Sequence, residues 1–350
     1  MPPLASRTAD ESEGACSIAL GGRKTVFSID CGTVCYTKIA RNRRLKSFAR
    51  SQRKGKTKHT PAFCTSLPAA LTFGGSRMTY KSILLNLNID GMVAPIIKLG
   101  VEMARRFDAR LIGFSAADVP PPIVMEGGTT FEGESMMLQL QNIERRIEDL
   151  RAELEGLAGT TVETEWRGAV GNPTRLLINA ACAADLIVTA SPKGFISGNV
   201  HRSVDLGNLI LQAGRPVFVA ANDQKSIRLN KIIVGWKNTR EARRAVVDAM
   251  PFLQIAQEVR IITINEKATD AIWNSLNDVV AFLSRHGVKA KAEIFPEKSD
   301  GGAIIDVADA MHSDLIISGG YGHSRLREWI FGGATRSLLE NDRLNRIMSH

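Results

Sequence analysis

From Met78 onward, short apolar runs alternate with longer stretches in which apolar residues return every three or four positions. The runs "SILLNLN" (82–88), "RLIGFSA" (110–116), "TVETEW" (161–166), "DLIVTA" (185–190) and "RPVFVA" (215–220) read as strands. Between them, 92–107, Phe131 to Leu157, 172–184 and 202–213 carry helical spacing. Strands alternating with helices predict parallel sheets covered by helices.

A polar stretch, 222–230, precedes a second pass of the same kind. Strands are expected at 231–236, 258–264, 288–295, 314–318 and 344–349, and helices at 240–253, 271–286 and 303–311. The two passes share an order, and "AADLIVTA" against "HSDLIISG" is their clearest echo. In the longest helix Met136, Leu140, Ile143, Ile147, Leu150, Leu154 and Leu157 form one stripe at steps of 4 and 3. Such a stripe suits a coiled-coil seam or a helix laid on a sheet, and the alternation with strands favours the sheet.

Charge changes the picture only for the start of the chain. The 350 residues carry a net charge of +9, of which residues 1–77 contribute +10 and the remainder −1. The α/β part therefore offers no electrostatic case for binding nucleic acid. Segment 38–58, rich in Lys and Arg and free of acid, predicts disorder. Two accounts of 1–77 stand: a basic disordered arm, or a stretch upstream of a true start at Met78, since the codons for Gly74 and Gly75 can spell a ribosome-binding sequence. Four of the five cysteines, Cys16, Cys31, Cys35 and Cys64, lie in this leader. Cys182 sits in an apolar helical stretch and is expected to be buried and inert. No disulfide framework, no metal-ligand spacing and no apolar run of 18 residues emerges, which fits a protein of the reducing cytoplasm without a membrane span.

Candidate chemistry gathers in "GGYGHSRLREWIFGGAT" (319–335), directly behind the strand "DLIIS". A loop leaving the C-terminal end of a parallel strand for a helix is where open α/β sheets bind ligands. Glycine lets backbone N–H groups approach a phosphate, and a helix N-terminus adds positive potential. Gly319, Gly322, Gly332, Gly333 and Thr335 read as a split anion cradle, or as glycines that only turn and cap the chain.

The pattern Gly319-x2-Gly322-x9-Gly332, followed by Gly333, Ala334 and Thr335, resembles the nucleotide-binding signature of the universal stress protein family. The resemblance covers 80–350 and implies two tandem doubly wound, Rossmann-like α/β domains of the adenine nucleotide alpha hydrolase type. Each would have a five-stranded parallel sheet, over 78–223 and 229–350, and together they would form an intramolecular pseudo-dimer. It also implies an adenine nucleotide, ATP or AMP, with its phosphates on this loop and any magnesium arriving on the nucleotide.

Several positions depart from the family pattern. The acid expected after "KIIVG" falls at Trp236 and Lys237. Trp236 either stacks on a base or belongs to the core, and Lys237 either meets a phosphate or is solvated. Gly333 removes a hydroxyl, and His323 replaces an arginine, while Ser324 and Arg325 stay polar and suited to a phosphate. In the first pass Ala190 stands for Gly319, Lys193 for Gly322 and Asn88 for the acid, so only the second pass retains the motif. Ser191, Lys193, His201 and Arg202 remain as polar groups for something small. Asn345 and Arg346 in the last strand, where apolar residues are usual, speak against pairing through that edge.

Catalytic readings fall short. "GHSRL" has Leu326 where a nucleophile elbow needs its second glycine, and only His350 follows Ser324 as a histidine. No Walker loop exists, and slow ATP hydrolysis would lack a nameable base. His286 and His312 end helices. Two functions remain: a regulatory or sensor protein binding an adenine nucleotide, and a non-nucleotide module acting through a protein partner or homodimer.

Overall fold

The structure, a computed structural model, describes residues 15–20, 23–28, 78–120, 132–191, 199–222, 226–296, 302–320 and 333–350. The chain divides into two units, Met1–Thr72 and Phe73–His350. In the first, strands β1 (Ala15–Leu20) and β2 (Arg23–Ser28) form an antiparallel hairpin. Leu20 faces Arg23 at one end of the pair and Ala15 faces Ser28 at the other. The sequence reading anticipates no strand here, and its disordered segment 38–58 lies outside the described residues.

The second unit holds β3 (Ser82–Asn86), α1 (Ala94–Phe107), β4 (Arg110–Ala117), α2 (Glu132–Ala158), β5 (Thr164–Val170), α3 (Pro173–Ala180), β6 (Leu186–Ala190), α4 (Leu206–Gln212) and β7 (Val217–Ala220). The repeat follows with β8 (Lys231–Gly235), α5 (Arg240–Asp248), α6 (Met250–Leu253), β9 (Glu258–Ile264), α7 (Asp270–Arg285), β10 (Ala290–Phe295), α8 (Ala303–Ala310), β11 (Leu315–Gly319), α9 (Gly333–Glu340) and β12 (Asn345–Ser349). All ten strands join one sheet in the order β10-β9-β8-β11-β12-β7-β6-β3-β4-β5. Each half is parallel, with strand order third, second, first, fourth, fifth, and the halves meet through the antiparallel pair β12 and β7.

Both faces of the sheet are covered. One core gathers side chains of α1, α2, α5, α6 and α7, the other those of α3, α4, α8 and α9. The middle of the long stripe lies on the sheet, with Ile143, Ile147, Leu150 and Leu154 buried, while Met136 and Leu157 at its ends are exposed. The repeated "DLI" has a physical reason. Asp185 Oδ2 accepts from the backbone of Lys81 (2.7 Å) and Ser82 (3.0 Å), and Asp314 Oδ2 accepts from Asn230 (2.8 Å) and Lys231 (3.0 Å). In each half one carboxylate thus fixes the start of the first strand beside the fourth. The edge strands β5 and β10 carry Glu165, Arg167, Lys291 and Glu293, charges that discourage further strand addition.

Three expectations need correction. The helix expected over 240–253 is two, α5 and α6, because the chain breaks at Ala249 ahead of Pro251. Cys182 is exposed: α3 ends at Ala180 and tightens into a 3-10 turn, Ala181–Ala183, which buries Ala181 and turns Cys182 outward. The last strand does pair through its edge, despite Asn345 and Arg346. Both side chains are about 1% exposed yet bonded: Asn345 Oδ1 accepts from Ala221 N (3.0 Å), and Arg346 donates to the carbonyls of Leu344 (2.9 Å) and Leu339 (3.2 Å) and to Ser191 Oγ (2.8 Å). Burial brings the Arg346 pKa down to about 10, so the group stays charged at neutral pH. An aromatic cluster, Tyr80, Phe107, Phe218 and Phe252, packs the halves together beside this seam.

Candidate functional site

In each half the chain changes face between its first and fourth strands, the switch point at which open α/β sheets take ligands. In the second half this is the crevice at the C-terminal ends of β8 and β11. The fold brings Gly235, Trp236 and Lys237 there from one strand, and Ser318, Gly319 and Gly320 from the other.

Gly319 is where a side chain cannot fit. A Cβ there would lie 2.6 Å from both Ala242 N and the Glu241 carbonyl carbon, so glycine lets the first turn of α5 rest on the end of β11. At Gly235 a Cβ would meet Ile304 Cδ1 at 2.4 Å, the end of a side chain that would have to turn aside. The α5 N-terminus is capped by Thr239, which accepts from Ala242 N (3.3 Å). Around it stand Arg240 and the buried Glu241, with Arg240 Nε 3.2 Å from Glu241 Oε1. Arg240 Nη2 also lies 3.3 Å from His350 Nε2, and His350 Nδ1 lies 3.1 Å from the Gly320 carbonyl. Burial pushes the Glu241 carboxyl up, but its own backbone N–H, Thr239, Arg240 and His350 together hold it below the usual glutamate range. The sequence reading missed Glu241; the signal was an acid in the first turn of a helix behind a capping threonine.

The predicted residues divide. Gly319 ends β11, Gly333 opens α9, and Thr335 is buried in the first turn of α9. Gly322, His323, Ser324, Arg325 and Gly332 lie outside the described residues. Trp236 takes the core alternative: it is 8% exposed, and its indole N–H donates to Ser275 Oγ on α7 (3.0 Å). Lys237 is exposed at the mouth. Among the described residues no cluster of His, Cys, Asp or Glu has metal-ligand geometry, and no helix is long and apolar enough to cross a membrane.

In the first half the equivalent strand ends carry polar side chains that bond to one another. Asn86, at the position of Gly235, is buried and donates to Thr189 Oγ1 (3.0 Å) across β3 and β6. Above it Arg202 forks onto Asp90 at 2.7 and 2.5 Å, which lowers the Asp90 pKa through that bond. His201 lies 3.8 Å from Asp118, whose backbone N–H donates to the His201 carbonyl (2.6 Å). Two of the polar groups set aside for a small ligand, the side chains of Ser191 and Arg202, are thereby engaged within the chain, whereas His201 Nδ1 is buried without a hydrogen-bond partner among the described residues; Lys193 lies outside them.

No protein-family model and no curated protein matches the sequence. Solved structures do. A universal stress protein from Archaeoglobus fulgidus DSM 4304 superposes with a TM-score of 0.58 at 13% identity, over 77% of this chain and 95% of that one. A protein described as a putative universal stress protein from Pseudomonas aeruginosa UCBPP-PA14 gives 0.49 at 14%, over 77% and 93%. A universal stress protein from Archaeoglobus fulgidus in complex with dAMP gives 0.24 at 20%, over 41% and 98%. At these identities the first likeness establishes a shared fold, and it extends over a share of the chain comparable to the whole ten-stranded unit.

Proposed function

Starting from that shared fold, we propose that this chain is a tandem universal stress protein. Its second half binds one adenine nucleotide, ATP or AMP, and its first half serves as the structural partner. The observation that carries the reading is the retention of Gly319-x2-Gly322-x9-Gly332 in the sequence that follows the fourth strand of one half alone, with Gly319 at the end of that strand. The motif leaves β11 at Gly319 and reaches α9 at Gly333 and Thr335, so a phosphate on it would face the N-terminus of α9. Lys237 and Arg240 add positive charge on the β8 side. The reading is of a cytoplasmic sensor or regulatory module that holds its nucleotide.

The test is Gly322→Val in the full chain. ATP binding by calorimetry is expected to vanish while the melting temperature of the unliganded protein changes little; undiminished binding would overturn the reading. A second reading, an interaction module without nucleotide, draws on a different observation. Met137 and Leu138 near the start of α2 are 63% and 61% exposed, an apolar surface suited to a protein partner.

A further inference from the structure

The seam between the halves is symmetric in its backbone and asymmetric in its side chains. Phe218 faces Ile347 at its centre, flanked by the pairs Val219 with Arg346 and Val217 with Met348. The backbone bond from Ser191 N to Ala220 O (2.9 Å) has its counterpart in Gly320 N to Ser349 O (2.8 Å). Ser191 therefore corresponds to Gly320, and Arg346 to Val217.

At one end of the seam the buried Arg346 guanidinium reaches from the second half to the Ser191 hydroxyl of the first (2.8 Å). It also donates to the carbonyls of Leu344 and Leu339 in its own half, and its Nε finds no acceptor among the described residues. At the other end the corresponding contact is apolar and tight. A Cβ on Gly320 would stand 3.0 Å from Ile210 Cγ2 and 3.8 Å from Met348 Cε.

We propose that Arg346 and Ser191 form a pairing key that fits β12 to β7 of this chain and excludes like-with-like pairing between copies. Two copies joined through β12 in the same register would place each Arg346 opposite a Gly320, which has no hydroxyl. Two copies joined through β7 would bury each Ser191 hydroxyl against Val217. Either arrangement deprives two buried polar groups of the bond that the native seam gives them, and specificity of this kind rests on the penalty in the wrong pair. The inference stands apart from the nucleotide reading, since it uses only the seam.

The test uses the full chain with Ser191→Gly, Arg346→Met and the double variant. Ser191→Gly is expected to lower the folding equilibrium constant roughly 10- to 100-fold, because it leaves a buried charged donor short of an acceptor. In the Arg346→Met background the same change is expected to cost only a few-fold, because no cation remains to be stranded. After refolding at high concentration, native mass spectrometry is expected to find concentration-dependent oligomers in the double variant, in excess of those of the parent. Ser191→Thr, which keeps the hydroxyl, should behave as the parent and guards against Ser191→Gly failing to fold. Equal losses in both backgrounds would overturn the proposal. So would coupled losses with an unchanged oligomer distribution, which would leave a bond that stabilises without selecting.

Discussion

The two switch points of this molecule share one topology and differ in what occupies them. In the first half Asn86 and Thr189 bridge the strands, Ala190 ends β6, and Arg202 closes onto Asp90. In the second half glycines stand at both strand ends, at Gly235 and Gly319, and α5 and Ile304 pack directly against them. One backbone supports strand ends bridged by polar side chains and strand ends built around the absence of side chains. A fold repeated within one chain can thus carry different side chains at equivalent strand ends.

The largest effect that sharpens this contrast is steric. Gly319→Ala should destabilise the protein by about 2–3 kcal/mol, because the new methyl meets the backbone of Glu241 and Ala242. The reciprocal Ala190→Gly should cost only about 0.5–1 kcal/mol. Urea unfolding midpoints compare the two, and equal losses would break the contrast. Next in size is Thr189→Val, which leaves the buried Asn86 amide without its acceptor and should cost about 1–2 kcal/mol. Ser318→Ala, at the matching position, should cost less, since among the described residues that hydroxyl donates to the adjacent Gly319 carbonyl (3.1 Å). The smallest is Trp236→Phe, expected to cost about 1 kcal/mol through the lost bond to Ser275. ATP affinity should be unchanged by it, and a tenfold loss of affinity would return Trp236 to the ligand.

Much of the architecture was legible in the sequence, because strand and helix periods differ and repeat twice in one order. The stripe of α2 and the Asp185 and Asp314 echo required no tertiary information to be noticed, although the reason for the echo did. The break at Ala249, the exposure of Cys182 and the hairpin over Ala15–Ser28 escaped, since each turns on local geometry rather than on period. At the candidate site, Gly319 was singled out as part of an anion cradle or a turn, but the close approach of the α5 turn that excludes a side chain there was not legible. Glu241 was hidden because its burial follows from how α5 meets β11. Arg346 and Asn345 were misread because their partners, Ser191 and Ala221, lie more than a hundred positions away.

The most direct test of the central claim is the number of nucleotides carried per chain. Native mass spectrometry of the full chain with excess ATP, followed by denaturation to identify what is released, measures it. One adenine nucleotide per chain is the predicted result, reduced to none by Gly322→Val. Two per chain, or none on the parent protein, would contradict an account in which the second half binds and the first supports it.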